Sequence, residues 1–142
     1  MRLLALDYGH KRIGVAIGTS EDGIAFPREP LQNAAEVFAV ILALVQAEGV
    51  QQVIVGLPLN LAGEEADIVA PARAFADTLE DALLAADMKI PVDFCDERFT
   101  SILATRAARA HGLSEKAMRG QLDSAAAAIL LMGYIASLES NK

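Results

Sequence analysis

The first strand that the sequence predicts, at residues 3–8, begins with four consecutive apolar residues, Leu3-Leu4-Ala5-Leu6, followed by Asp7. A half-exposed strand would alternate apolar and polar residues, so this strand is predicted at the centre of a sheet. A carboxylate at its end is partly removed from water, which is costly unless cations or hydrogen bonds compensate. Asp7 is therefore a candidate functional residue. The alternative is that it only accepts hydrogen bonds from the turn at Gly9.

The hydrophobic periodicity of the rest of the chain predicts alternating strands and helices. Further strands are predicted at residues 13–17, 24–31, 52–55 and 92–95, and helices at residues 34–48, 64–86, 100–111 and 121–138. Pro27 and Pro30 mark the third strand as an edge or irregular strand. Short connections make the first three strands antiparallel, and helical crossovers make the later two parallel to the first. The expected fold is α/β, a mixed five-stranded sheet flanked by helices, which fits ribonuclease H-like domains and also other α/β sheets.

The length and charge of the chain limit its domain count and its partners. A chain of 142 residues is expected to form one domain, residues 1–142. The formal net charge of −7 is unusual for a nucleic-acid enzyme, because phosphate binding normally leaves a basic surface. Basic residues nevertheless concentrate in residues 98–119, where Glu115 is the single acidic residue. We expect a polyanion to dock on that segment.

Cysteine content and hydropathy bear on the compartment. Cys95 is the single cysteine, so an intrachain disulfide is excluded and a reducing cytoplasm is expected. The longest apolar stretch, residues 125–136, is shorter than the roughly 20 residues that cross a bilayer. The sequence therefore predicts a cytoplasmic protein with no membrane partner.

The predicted elements bring two further carboxylates towards Asp7. Glu97 follows the strand at residues 92–95, and the carboxyl ends of parallel strands share one sheet edge, the usual ligand site of open α/β sheets. Asp123 shares a helical stripe that is predicted to face the sheet. The other members of that stripe are Ala126, Ala127, Leu130 and Tyr134. Alternatively, Glu97 belongs to a charged loop that caps the next helix, and Asp123 is the N-cap of the last helix.

Three converging carboxylates would repel one another unless a cation lay between them. Mg²⁺ or Mn²⁺ prefers oxygen ligands and commonly uses a few carboxylates together with substrate phosphate. A zinc site is not expected, because Cys95, His10 and His111 are isolated in the sequence. Two ions about 4 Å apart would support hydrolysis of a phosphodiester by in-line attack of water.

Four short motifs in order along the chain resemble one known family. They are Leu6-Asp7-Tyr8-Gly9 continuing to Arg12-Ile13-Gly14-Val15-Ala16, then Val55-Gly56-Leu57-Pro58-Leu59-Asn60, then Asp96-Glu97-Arg98-Phe99-Thr100, and last Leu122-Asp123-Ser124-Ala125-Ala126. Together they resemble the YqgF proteins, which are ribonuclease H-like and have been described as Holliday-junction resolvases and as pre-16S ribosomal RNA nucleases. The resemblance implies that Asp7, Glu97 and Asp123 are the metal-binding catalytic acids.

The resemblance also implies substrate contacts. Lys11, Arg12 and Arg98 would contact phosphates, and Asn60 with Gly63 would line the entrance of the site. Simpler interpretations stay open. Arg12 would be a surface strand residue, Arg98 would pair with Asp96, and Asn60 with Gly63 would only shape a turn. The residues Leu61-Ala62 depart from the polar or acidic residue that the family tends to carry before its glycine, which weakens a catalytic role for that loop.

These features and the resemblance together lead us to expect a metal-dependent, two-metal endonuclease that acts on nucleic acid. The family resemblance favours processing of the 5′ end of pre-16S rRNA, in association with ribosomal precursors. One alternative is a Holliday-junction resolvase that cuts branched DNA as a homodimer. An alternative of another class is a non-catalytic nucleic-acid-binding module. The Asp7-Tyr8-Gly9 hairpin also resembles the phosphate loop of actin-like ATPases and sugar kinases, but those enzymes need a second domain to close over the nucleotide.

Overall fold

The computed structural model of the protein describes residues 1–57, 69–96 and 122–140. Its strands are β1 (Arg2–Asp7), β2 (Arg12–Thr19), β3 (Ala25–Gln32), β4 (Gln52–Leu57) and β5 (Val92–Asp96). Its helices in these ranges are α1 (Val37–Glu48), α2 (Val69–Ala85) and α3 (Leu122–Ser140). None of these helices is long and apolar enough to cross a bilayer.

The five strands form one mixed sheet in the order β3-β2-β1-β4-β5. β1 pairs antiparallel with β2, and β2 pairs antiparallel with β3. β4 runs parallel to β1, and β5 runs parallel to β4. This arrangement confirms the predicted sheet, including the central position of β1 and the edge position of the proline-containing β3.

The apolar run of β1 is buried because helices cover both faces of the sheet. Leu4 and Leu6 pack in a cluster with α1 and α2, whereas Leu3 and Ala5 pack in a second cluster with α3. Each side chain of the run is fully buried. Successive residues of a strand point to opposite faces, so a strand covered on both sides must be apolar at every position.

Helix α3 is attached to the sheet by a hydrogen bond near each of its ends. The buried hydroxyl Oγ of Ser124 accepts a hydrogen bond from the backbone N–H of Val15 at 3.0 Å. Further along the strand direction, the side-chain amide of Gln52 donates to the hydroxyl of Tyr134 at 3.1 Å. Val15 lies opposite Leu6 and Gln52 lies beside Leu3, so α3 runs along β1 from its carboxyl end to its amino end.

The boundaries of several elements differ from the sequence-based prediction. α1 begins at Val37 and not at residue 34, because residues 34–37 first form a turn in which the N–H of Val37 donates to the carbonyl of Ala34. Its predicted end is confirmed, since Gly49 follows with the left-handed φ of 65°. The predicted helix at residues 100–111 and the predicted start of the second helix at residue 64 lie outside the described residues.

Candidate functional site

Asp7 is the last residue of the central strand and is half-buried. Because Leu3 and Ala5 face α3, strand alternation puts Asp7 on the α3 face as well. The residue opposite Asp7 on β2 is Gly14, which is buried and has no side chain to cover the carboxylate. Asp7 therefore lies at the end of the sheet, where its carboxylate could bind a ligand together with another group on the α3 face.

The first turn of α3 lies at the same end of the sheet. The Ser124–Val15 hydrogen bond holds this turn over β2, one residue away from Gly14, which is the partner of Asp7. The bond coincides with an irregularity in the pairing of β2 with β3, between Ile13 and Val15. The structure therefore brings the backbone position next to Ser124, residue 123, to the carboxyl end of β1.

The predicted helical stripe through residue 123 is confirmed in part. Ala127 and Leu130 are buried against the sheet and Tyr134 is half-buried, as expected. Ala126 is exposed, so its inclusion in the buried stripe was wrong. The buried face of α3 includes Ser124, Ala128, Leu131 and Ile135, which follow one another at intervals of about one helical turn. α3 already includes residue 123, which also makes the N-cap interpretation of Asp123 wrong.

The third predicted acid, Glu97, directly follows the end of β5 and lies outside the described residues. The parallel register places Leu6, Val55 and Phe94 level with one another, so β1 and β5 end at the same edge of the sheet, with β4 between them. Asn60, Gly63 and Arg98 also lie outside the described residues. Within the described ranges, no group of three or more His, Cys, Asp or Glu side chains forms a metal site.

Two predicted substrate-binding residues lie beside Asp7 in the connection from β1 to β2. Lys11 is exposed in the turn, and Arg12 is the exposed first residue of β2. Alternation along β2 puts Arg12 on the same face as Gly14 and Ala16, which is the α3 face. The structure thus brings Arg12 to the face of Asp7, and it also places Arg12 at the surface of a strand, as the simpler interpretation had it.

The sequence analysis did not identify Ser124 as the residue that fixes the first turn of α3. One signal was present in the sequence: Ser124 is the polar residue that opens the apolar run Ala125-Ala126-Ala127-Ala128. A polar side chain on the buried face of a helix needs a hydrogen-bond partner. The identity of that partner, Val15, is 109 positions away and is set by the fold.

The amino end of β1 also carries charged groups, and these pair with one another. The Glu48 carboxylate accepts hydrogen bonds from the guanidinium of Arg2 at 2.8 Å and from that of Arg28 at 2.7 Å. These bonds, that of Arg2 first, hold the pKa of Glu48 below its ordinary value. At the same end of the sheet, burial raises the pKa of the Tyr134 hydroxyl.

Comparison with known proteins identifies the family and the fold. Two bacterial relatives carry the name "Putative pre-16S rRNA nuclease". The one from Chloroflexus aurantiacus is 41% identical over 142 residues, covering 98% of this chain and 89% of the relative. The one from Anaeromyxobacter dehalogenans is 38% identical over 137 residues, covering 95% of this chain and 96% of the relative.

Two solved structures share the fold at 13% sequence identity. Thermus thermophilus RuvC in complex with a Holliday junction substrate gives a TM-score of 0.58 and covers 98% of this chain and 96% of RuvC. The yeast mitochondrial Holliday junction resolvase gives a TM-score of 0.53 and covers 97% of this chain and 80% of the resolvase. These similarities confirm the ribonuclease H-like fold. Residues 1–137 match the family model described as "RuvX: Holliday junction resolvase", and the chain therefore belongs to this nuclease family, RuvX or YqgF.

Proposed function

We propose that this protein is a metal-dependent endonuclease that hydrolyses nucleic-acid phosphodiester bonds with Asp7, Glu97 and Asp123. The observation that carries the proposal is the position of Asp7 at the carboxyl end of the central strand, on the face where Ser124 holds the first turn of α3. The remaining acid, Glu97, follows β5, whose Cys95 packs on that same face.

The donor set fits hard divalent cations such as Mg²⁺ or Mn²⁺. Three carboxylates supply oxygen ligands only, and the half-buried Asp7 would gain compensation for its lost hydration from a cation. Gly14, the strand partner of Asp7, adds no side chain that would occupy the space beside the carboxylate. When bound, two such ions would stabilise the negative charge that develops on the phosphate during attack by water.

The other residues of the site would bind and orient the substrate. Exposed Lys11 and Arg12 lie next to Asp7 and would contact phosphates on either side of the cleaved bond. Arg98 would act in the same way and Asn60 would line the entrance. These contacts let a chain with a net charge of −7 bind a polyanion through a local basic surface.

For the substrate, we favour the 5′ end of pre-16S rRNA, in the cytoplasm and in association with ribosomal precursors. The names of the relatives that are 41% and 38% identical support this choice. The description of the matching family supports a second candidate, cleavage of Holliday junctions. That activity would require a symmetric dimer whose two sites cut opposite strands.

The proposal is tested by offering labelled single-stranded RNA carrying the 5′ region of pre-16S rRNA, duplex RNA and a four-way DNA junction to the purified protein. Cleavage is expected with Mg²⁺ or Mn²⁺, and it is expected to stop in EDTA. Asp7→Asn and Asp123→Asn should abolish cleavage while the thermal unfolding curve stays that of a folded protein. Cutting by either variant would remove that residue from the mechanism, and cutting in EDTA would exclude the metal.

A further inference from the structure

The connection from β1 to β2 carries exposed cations immediately beside Asp7. Lys11 and Arg12 follow Asp7 by four and five positions, and both are exposed. Residues 12 and 13 of β2 pair with β3 but extend past the last β1–β2 pair, Asp7 with Gly14. The direction in which the two cations project therefore depends on how firmly this connection is held.

Asn33, which follows the last residue of β3, holds the connection through two hydrogen bonds. Its side-chain amide Nδ2 donates to the carbonyl of Gly9 at 2.8 Å. Its backbone N–H donates to the carbonyl of Lys11 at 2.9 Å. The half-buried Asn33 thus bridges both sides of the turn from the direction of the edge strand.

The same turn leaves no room for a side chain at Gly9. A Cβ atom at Gly9 would lie 2.5 Å from the carbonyl oxygen of Arg12, so only glycine fits there without moving the backbone. The ring of Tyr8 packs against that of Phe75, with centroids 5.2 Å apart, and so anchors the start of the turn in the core. The hydrogen bonds of Asn33 to Gly9 and Lys11 hold the turn in addition to these contacts.

We infer that Asn33 is a positioning residue for phosphate binding, which holds Lys11 and Arg12 in the orientation that receives the phosphodiester backbone beside Asp7. The inference rests on the proposed function. Fixing the backbone that carries two long cationic side chains lowers the conformational entropy that binding must remove. Asn33 itself need not touch the substrate, because its side chain is engaged with Gly9.

The test measures the dissociation constants of labelled single-stranded RNA and of a labelled four-way DNA junction, with Ca²⁺ in place of Mg²⁺ to prevent cleavage. Asn33→Ala is expected to weaken binding about 2- to 10-fold. In the Lys11→Ala/Arg12→Ala background the same substitution should have no further effect, because the positioned cations are gone. Thr78→Ala serves as the control and should leave the affinity unchanged, because it removes an exposed side-chain hydrogen bond to a backbone carbonyl within α2.

Hydrogen exchange of the unliganded protein provides a second measurement. Asn33→Ala should speed exchange of the amides of residues 10–12, whereas Thr78→Ala should not. Equal losses of affinity in both backgrounds, or unchanged exchange in the turn, would overturn the inference and leave the proposed function standing. If the wild-type protein bound neither nucleic acid, the proposed function would fail and the inference with it.

Discussion

The two ends of β1 handle charge in different ways. At the amino end, the Glu48 carboxylate lies between the guanidinium groups of Arg2 and Arg28, so the fold supplies its own counter-charges. At the carboxyl end, half-buried Asp7 ends the strand next to the exposed Lys11, on a face that also receives the first turn of α3. At the amino end these charged groups pair within the fold, and the carboxyl end is where we propose that metal ions and substrate bind.

The largest expected effect comes from making the same chemical change at both ends, carboxylate to amide. Asp7→Asn is expected to lower the rate of metal-dependent cleavage by at least about 100-fold, because a metal-binding oxygen is replaced by a neutral ligand. Glu48→Gln should leave the cleavage rate within a factor of about two, since Glu48 touches arginines at the opposite end. Single-turnover cleavage assays measure both. Equal loss in the two variants would contradict the division between the ends.

The next largest effect concerns the attachment of α3 at the carboxyl end. Ser124→Ala removes the acceptor of the Val15 N–H, and leaving that buried donor unsatisfied costs about 1–3 kcal/mol of unfolding free energy. Urea denaturation measures the loss. Ser137→Ala is the matched control on the same helix, because Ser137 is half-buried and its hydroxyl donates to the backbone carbonyl of Tyr134 within α3. Equal stability losses for the two serines would show that the Val15 bond contributes little.

A smaller effect is expected at the other attachment of α3. Tyr134→Phe removes a hydroxyl that accepts from Gln52 at 3.1 Å and donates to the Asp93 carboxylate at 3.4 Å. The expected destabilisation is about 0.5–1.5 kcal/mol, and the cleavage rate should not change, because the hydroxyl lies at the amino end of the sheet. Chemical denaturation and the cleavage assay test the two statements separately. A drop in activity larger than the loss of folded protein would disprove the second.

The smallest effect is the pH dependence of the arginine-bridged Glu48. Its pKa is lower in the folded protein than in the unfolded chain, so the interaction stabilises the fold above the unfolded value of about 4.3 and is lost as the pH falls through the folded value. Glu48→Gln should therefore be less stable than wild type near pH 7, and this difference should shrink below about pH 4. Thermal unfolding from pH 7 to pH 3 measures it. If the difference in stability between wild type and Glu48→Gln grew on acidification, it would contradict this prediction.

The sheet could be predicted from local sequence because its determinants are local. Four consecutive apolar residues before Asp7 placed β1 in the centre, and Pro27 and Pro30 placed β3 at the edge. The contacts that organise the candidate site could not be predicted. Periodicity tells which face of a helix is buried, but it does not name the group on the other side of a hydrogen bond such as that between Ser124 and Val15.

The candidate site itself was predicted in part. The end of β1 at Asp7 could be predicted, because a polar residue there ends an apolar run. The hydrogen bond from Asn33 to Gly9 in the neighbouring turn could not be predicted. The two residues are 24 positions apart in the sequence, and the β2–β3 pairing brings them together. The exposure of Ala126 could not be predicted either, because small residues occur on both faces of an alanine-rich helix.

The proline-containing edge has a consequence for assembly. Two of the eight residues of β3, Pro27 and Pro30, have no N–H to offer, so a strand from another molecule would find an interrupted ladder of hydrogen bonds there. Sheet-to-sheet joining of two copies along β3 is therefore disfavoured. A two-fold partner, if the substrate calls for one, is expected to leave the β3 edge in water and to meet this protein at its helices, its loops or the opposite edge strand, β5.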